Sequence, residues 1–167
     1  SATLRENIVS LARNIGYVPR SKRAAVAQID YQVSGIATSN ATMTFEPGLI
    51  ANSIVSDKNF LFSIPEKHVS AVENGVTEGT LTIYQGQYLE KNWTVNNSQP
   101  NARYILPNSD IDTSTLRVKI KEDSSSTTST EYKLVDNIIG VTSTSNIYLI
   151  QETTDEKYEI LFGDGIF

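Results

Sequence analysis

Ala27-Gln28-Ile29-Asp30-Tyr31-Gln32-Val33 alternates apolar and polar side chains without a break. Alternation with a period of two places the apolar side chains on one face of a strand and the polar ones on the other. Ser34-Gly35 follows and ends the pattern, as turn residues do. The stretch therefore predicts a half-buried β-strand.

The rest of the chain contains further short runs with strand character, separated by turn residues. Glu46-Pro47-Gly48 and Asp57-Lys58-Asn59 are two such turns, and the polar tract at residues 123–130 is predicted to be a loop between strands. Residues 66–78 show no clear period and predict a loop or a short helical turn. The runs with strand character lie at residues 42–45, 49–51, 53–55, 60–64, 79–84, 93–95, 102–106, 116–120, 132–135, 146–150 and 158–162.

About ten short strands predict a mainly β fold, either an antiparallel β-sandwich or two small β units. Asn, Ser and Pro cluster at residues 95–101, where a boundary is predicted. The predicted division is residues 1–95, with the first β unit, and residues 96–167, with the second. A single domain fits the pattern as well.

One amphipathic helix is predicted at the N-terminus, over residues 4–15. Thr3-Leu4-Arg5-Glu6 has the form of a capping box. Gly16 and Pro19 then end the helix. A helix this short must pack on the rest of the chain or on another protein. A single apolar stripe follows the helical period: Leu4, Ile8, Leu11 and Ile15.

The composition excludes several kinds of site. The chain has no cysteine, so disulfides and cysteine-based zinc sites are excluded, and His68 is its single histidine. No apolar run of about 18 residues predicts a membrane span. Residues 1–23 hold five basic residues and one acidic residue, whereas the rest hold nine basic and 18 acidic residues. Phosphate binding requires clustered Lys and Arg, and the bulk of the chain is acidic, so we expect no nucleic acid. We also expect no membrane, no metal and no cofactor.

Candidate catalytic groups are few. A hydrolase of the glycosidase type needs two carboxylates that face each other across a cleft. Asp110 and Asp112 lack the other ligands of a calcium loop and are interpreted as turn caps. We assign no catalytic residue and do not expect an enzyme. Four acidic residues near the C-terminus are interpreted as a solvated hairpin rather than a catalytic pair: Glu152, Asp155, Glu156 and Glu159.

Several segments, taken in order along the chain, carry a family resemblance. Residues 11–20 (LARNIGYVPR) lead into residues 24–27 (AAVA), and residues 158–167 (YEILFGDGIF) close the chain. Between them lie residues 79–86 (GTLTIYQG), 105–108 (ILPN), 111–118 (IDTSTLRV) and 148–152 (YLIQE). This combination resembles the baseplate wedge protein of contractile-tailed bacteriophages, the subunit of the inner baseplate ring. It is also similar to the wider baseplate J-like family of contractile injection systems.

The resemblance implies a structural role. Members of the family are not known as enzymes. They build wedges with other baseplate proteins, the wedges close into a ring around the tail-tube hub, and the contacts rearrange when the sheath contracts. The implied partners are other baseplate wedge proteins and further copies of the chain. The implied location is the tail baseplate of the virion, assembled in the bacterial host cytoplasm. Because family wedge proteins are much longer, the chain is interpreted as an internal fragment.

Two sets of residues are candidates for binding. The Thr- and Asn-rich strands and Trp93 favour an alternative function, a carbohydrate- or host-surface-binding β-sandwich module, because aromatic side chains hold sugars. For assembly, charge at the N-terminus and apolar side chains near the C-terminus are the better candidates. The predicted interface residues are Arg5, Arg13, Tyr17, Arg20, Phe162 and Ile166.

Overall fold

A computed structural model describes residues 21–95, 98, 102–136, 142, 145–153 and 155–162. The mainly β class is confirmed, and within these residues the helical structure is one 3₁₀ turn, Thr113–Thr115. The helix predicted over residues 4–15 lies outside the described residues. The strands are β1 (Val26–Ser34), β2 (Thr42–Phe45), β3 (Gly48–Val55), β4 (Lys58–Ile64), β5 (His68–Ala71), β6 (Val76–Gln85), β7 (Tyr104–Ile105), β8 (Val118–Ile120), β9 (Thr130–Leu134), β10 (Ile147–Glu152) and β11 (Tyr158–Phe162).

The first compact unit is Arg23–Glu90. Its main sheet is antiparallel with the strand order β1-β6-β4-β3, and β2 pairs with β5 in a separate two-stranded sheet. The alternation in β1 produces the predicted half-buried strand, with Ile29 opposite Leu81. Ile64, Leu81 and Ile83 form a small buried core, against which Phe45 of β2 packs.

A tight turn and a bulge shape the hairpin of β3 and β4. Ser56 and Asp57 connect the strands and both have positive φ, 50° and 61°, which is the requirement of a two-residue type I′ turn. The register shifts between Leu49 and Ala51, so a bulge is present there. Beyond the bulge the pairing continues regularly to Val55 opposite Lys58.

Among the described residues, the second unit is formed by those from Lys91 to Phe162 together with Ser21 and Lys22. Its sheet has the strand order β7-β11-β10-β9-β8. Three of its four neighbouring strand pairs are antiparallel, whereas β9 and β10 are parallel, which the predicted antiparallel fold did not include. The buried core consists of Leu106, Val118, Tyr148, Tyr158 and Ile160.

Two local predictions were wrong. Residues 93–95 are not in a strand, and residues 66–78 contain β5 instead of a loop or helical turn. The four residues of β5 alternate too briefly to give a period, and pairing with β2 makes them a strand. The loop predicted at residues 123–130 is confirmed as the connection between the antiparallel strands β8 and β9.

Candidate functional site

Arg103 and Glu159 form the best-defined ion pair of the second unit. Arg103 Nε donates to Glu159 Oε1 at 2.8 Å, and Nη2 donates to Oε2 at 2.7 Å. Glu159 lies in β11 and is 5% exposed, whereas 59% of the Arg103 side chain is exposed. The hydrogen bonds from Arg103 lower the pKa of Glu159, although burial opposes that effect. They also raise the pKa of Arg103.

The four acidic residues near the C-terminus do not form the solvated hairpin expected from the sequence. Asp155 and Glu156 are exposed, but Glu152 is 3% exposed and Glu159 is 5% exposed. Glu152 lies opposite Tyr158, and Glu159 lies opposite Gln151. Because neighbouring residues of a strand point to opposite faces, Glu152 and Glu159 lie on different faces of the sheet.

An open depression of about 280 Å³ lies at the end of this sheet. Its lining carries both signs of charge, with Arg103 and Lys157 basic and Glu152 and Asp155 acidic. Across the described residues, no group of three or more His, Cys, Asp or Glu side chains is arranged to hold a metal ion. The depression is therefore lined by both basic and acidic side chains, and its described residues do not form a set of metal ligands.

Aromatic side chains form a row across the core face of the second sheet. Trp93 meets Tyr104 with ring centroids 5.9 Å apart and an interplanar angle of 81°. Tyr104 meets Phe162 at 5.6 Å and 80°, and Tyr132 meets Phe162 at 5.8 Å and 83°. These edge-to-face contacts are typical of a packed core. They do not present the coplanar rings on which a sugar would stack.

The predicted interface residues divide into two groups. Phe162 is half-buried in β11, with its ring between those of Tyr104 and Tyr132. The prediction that Phe162 contacts another subunit stays a prediction. The other predicted interface residues lie outside the described residues: Arg5, Arg13, Tyr17, Arg20 and Ile166.

Ser21 and Lys22, the first residues that the structure describes, are bound to residues 110–113 of the second unit. Thr113 N donates to Ser21 Oγ at 3.0 Å, and the Ser21 and Thr113 hydroxyls are 2.8 Å apart. Lys22 Nζ pairs with Asp110, which raises the pKa of Lys22. Asp112 caps the 3₁₀ turn by accepting from Ser114 N at 2.9 Å, which confirms its interpretation as a turn cap.

His68 links the two sheets of the first unit. It lies in β5, and its Nε2 is 3.2 Å from the Tyr31 hydroxyl of β1. The ring of Phe45 packs edge-on against Tyr31, with centroids 4.9 Å apart. Tyr31 lies opposite Gly79 and covers it, because a Cβ on Gly79 would be 2.9 Å from the Tyr31 hydroxyl.

One row of side chains crosses the first sheet on the face away from its core, which we call the outer face. Its two ends are exposed, Tyr84 is half-buried and Ser63 is buried. In register across the four strands, Val26 lies opposite Tyr84, Tyr84 opposite Ser63, and Ser63 opposite Leu49. The two ends of this row, Val26 and Leu49, are 59% and 62% exposed. The sequence did not identify this row, because cross-strand neighbours depend on the strand order.

Comparison with known families identifies part of the chain. Residues 89–167 match the family model "Bacteriophage baseplate wedge protein gp6, third domain". The resemblance to baseplate wedge proteins that the sequence predicted is thereby confirmed. A search of the curated proteins found no match to the chain.

The gp6 third-domain match covers all strands of the second sheet, β7 to β11. The Arg103–Glu159 pair and the aromatic row lie within the matched residues. Apart from Leu89 and Glu90, the first unit lies before the matched residues. Within the described residues, no helix is both long enough and apolar enough to span a membrane.

Proposed function

We propose that the chain is a structural subunit of a phage tail baseplate wedge and helps to build the inner baseplate ring. Its partners are other baseplate wedge proteins and further copies of itself, and these contacts rearrange when the sheath contracts. The match of residues 89–167 to the gp6 third domain carries the proposal. The protein acts in the tail baseplate of the virion and is assembled in the bacterial host cytoplasm.

The exposed surface of the first unit supports a role in protein contacts. Leu49, Ile54 and Val69 are 62%, 71% and 52% exposed, and Val26 is 59% exposed. Single exposed apolar residues are ordinary, but this unit exposes apolar side chains at both edges of its main sheet and on β5, and such side chains are suited to protein contacts. The surface is suited to binding another protein through apolar contacts and strand edges.

The arrangement of the carboxylates supports a function without catalysis. A pair of catalytic carboxylates must approach one substrate from facing positions. Glu152 and Glu159 point to opposite faces of the sheet, and Glu159 is held by Arg103. We therefore assign Glu159 to the stability of the second unit.

Light scattering tests the proposal on the purified chain, alone and mixed with the other baseplate wedge proteins of the same phage. The expected result is a complex larger than either component. The variant Arg13→Glu is expected to keep the thermal stability of the chain and to weaken the complex, as the interface prediction requires. Lys121→Glu, which reverses one exposed charge after β8, is the matched control and should bind normally. A chain that binds none of the wedge proteins would contradict the proposal.

A further inference from the structure

The outer edge of β3 is open in the described structure. β3 is the last strand in the order β1-β6-β4-β3 and pairs with β4 on its inner side. Ile54 and Val55 are 71% and 57% exposed, and Leu49 at the other end of the strand is 62% exposed. Both ends of β3 therefore expose apolar side chains, whereas Ile50 and Ala51 between them are half-buried.

The sequence of β3 lacks two usual protections of a sheet edge, charge and proline, although the strand does contain a bulge. Edge strands generally carry charged side chains or proline, which discourage pairing with another chain. Gly48–Val55 contains no charged residue and no proline. The opposite edge strand, β1, carries the exposed Asp30, which accepts a hydrogen bond from Thr80 at 2.7 Å. Of these two edges, β3 is the one suited to accept another strand.

The bulge in β3 aligns its exposed apolar side chains. Leu49 lies opposite Ser63, Asn52 opposite Leu61, and Ile54 opposite Asn59. The three partners on β4 follow one another at intervals of two residues, so their side chains point to the same face. Leu49, Asn52 and Ile54, which lie opposite them, therefore all point to the outer face. Without the bulge, Leu49 and Ile54 would point to opposite faces, because they are five positions apart and the alternation has a period of two. Their shared face makes the edge apolar at both ends of the strand.

We propose that the edge of β3 is a strand-addition site for a second copy of this chain, whose own β3 pairs with it in antiparallel orientation. A two-fold axis near the middle of the strand brings Leu49 of each copy beside Ile54 of the other. The four-stranded sheets of the two copies then join into one sheet. This inference rests on the proposed function, in which copies of the chain contact one another, and it names the surface that they use.

Charge favours a second copy as the occupant. Like charges that lie opposite each other destabilise a strand pair, whereas apolar cross-strand pairs stabilise it. Pairing β3 with itself opposes no charged residues along Gly48–Val55 and joins the two exposed apolar positions. A contact related by a two-fold axis also closes on itself, so it ends at a dimer. A single strand pair buries less surface than a specific interface usually does, so we expect the dimer to be weak and to form only at high protein concentration.

Analytical ultracentrifugation of the full chain, from micromolar to millimolar concentration, tests the inference. The expected result is a monomer–dimer equilibrium. Ile54→Lys should raise the dissociation constant at least tenfold. The matched control is Val26→Lys, which introduces the same charge at an exposed apolar position on the outer face but on the other edge strand. It should leave the dissociation constant unchanged. If Ile54→Lys lowers the melting temperature, Asn52→Lys replaces it, because Asn52 is exposed on the same face.

Three results would overturn the inference. They are a chain that stays monomeric throughout, species larger than a dimer, or a dimer that Val26→Lys weakens as much as Ile54→Lys does. Hydrogen exchange adds an independent readout, since the amides of residues 48–55 should exchange more slowly as concentration rises. A chain that stays monomeric but binds other wedge proteins in light scattering would overturn the strand-addition site and leave the proposed function standing.

Discussion

Arg103 donates two hydrogen bonds to the carboxylate of Glu159, 56 residues away, and thereby fastens the segment before β7 to β11. A two-point Arg–carboxylate contact fixes direction as well as distance. The pair lies on the sheet face opposite Tyr158 and Ile160, so it covers the side of the sheet that the core does not. Glu159 is thus a structural residue of the second unit.

The lowered pKa of Glu159 predicts a pH-dependent contribution to stability. Unfolded Glu has a pKa of about 4.3. Because the folded pKa is lower, the contribution is fully present above that value and is lost as the pH falls through the folded pKa. The melting temperature of Glu159→Gln should therefore lie below that of the wild type at neutral pH, and the gap should narrow below about pH 4.

Thermal unfolding between neutral pH and pH 3 measures this gap. Glu131→Gln, which removes an exposed carboxylate from β9 of the same sheet, is the control for loss of charge and should change the melting temperature little. A gap between wild type and Glu159→Gln that is independent of pH would argue against the ion pair as its cause.

Gly79→Ala should destabilise the first unit because of the Tyr31 ring above it. The new Cβ would lie 2.9 Å from the Tyr31 hydroxyl and 3.2 Å from Cζ of the same ring. Overpacking of this kind costs about 1–3 kcal/mol of unfolding free energy. Denaturant unfolding of Gly79→Ala, Tyr31→Phe and the double variant tests the cause. The cost of Gly79→Ala should be smaller with Phe at position 31, and an equal cost would refute the clash with the hydroxyl.

Ile160→Ala and Ile54→Ala make a matched pair, because both remove the same atoms from a strand. Ile160 is 3% exposed in the core of the second unit, so its loss should cost about 2–5 kcal/mol of unfolding free energy. Ile54 is 71% exposed, and its substitution should cost about 0.5 kcal/mol or less. Unfolding at low protein concentration, where the chain is monomeric, gives both values. Equal costs would mean that the core is misassigned.

Phe162→Ala separates a packing role from an interface role. The half-buried ring touches Tyr104 and Tyr132, so its loss should cost about 2 kcal/mol of unfolding free energy, less than the 3–5 kcal/mol of a fully buried Phe. Denaturant unfolding measures the cost, and light scattering with wedge proteins measures binding. Normal stability with lost binding would assign Phe162 to the interface alone.

Local patterns predicted the class of the fold, because the alternation of apolar and polar side chains that indicates a strand occurs among neighbouring residues. The strand at Val26–Ser34 and the turn at Gly48, whose φ is 144°, followed directly from the sequence. The sequence also contains a hairpin signal that the prediction for residues 66–78 did not use. Asn74-Gly75 is a typical two-residue hairpin turn, and both residues have positive φ, 52° and 75°. It lies between β5 and β6, where the sequence analysis predicted a loop or helical turn.

The functional surfaces depend on pairings between distant residues, and one sequence does not encode these in any local pattern. Arg103 and Glu159 are far apart in the chain, and neither has a neighbouring residue that signals the pair. The row from Val26 to Leu49 crosses four strands whose order no hairpin signal gives. The shared face of Leu49 and Ile54 exists because of a bulge, which shifts the period by one residue.

The location of the chain in the phage particle is the most direct test of the central claim. Electron cryo-microscopy of purified virions of the phage that encodes it, with mass spectrometry of the same sample, measures that location. The account predicts peptides from residues 21–162 in the particle and density for the five-stranded sheet in the tail baseplate. Particles with complete baseplates that lack this chain would contradict it.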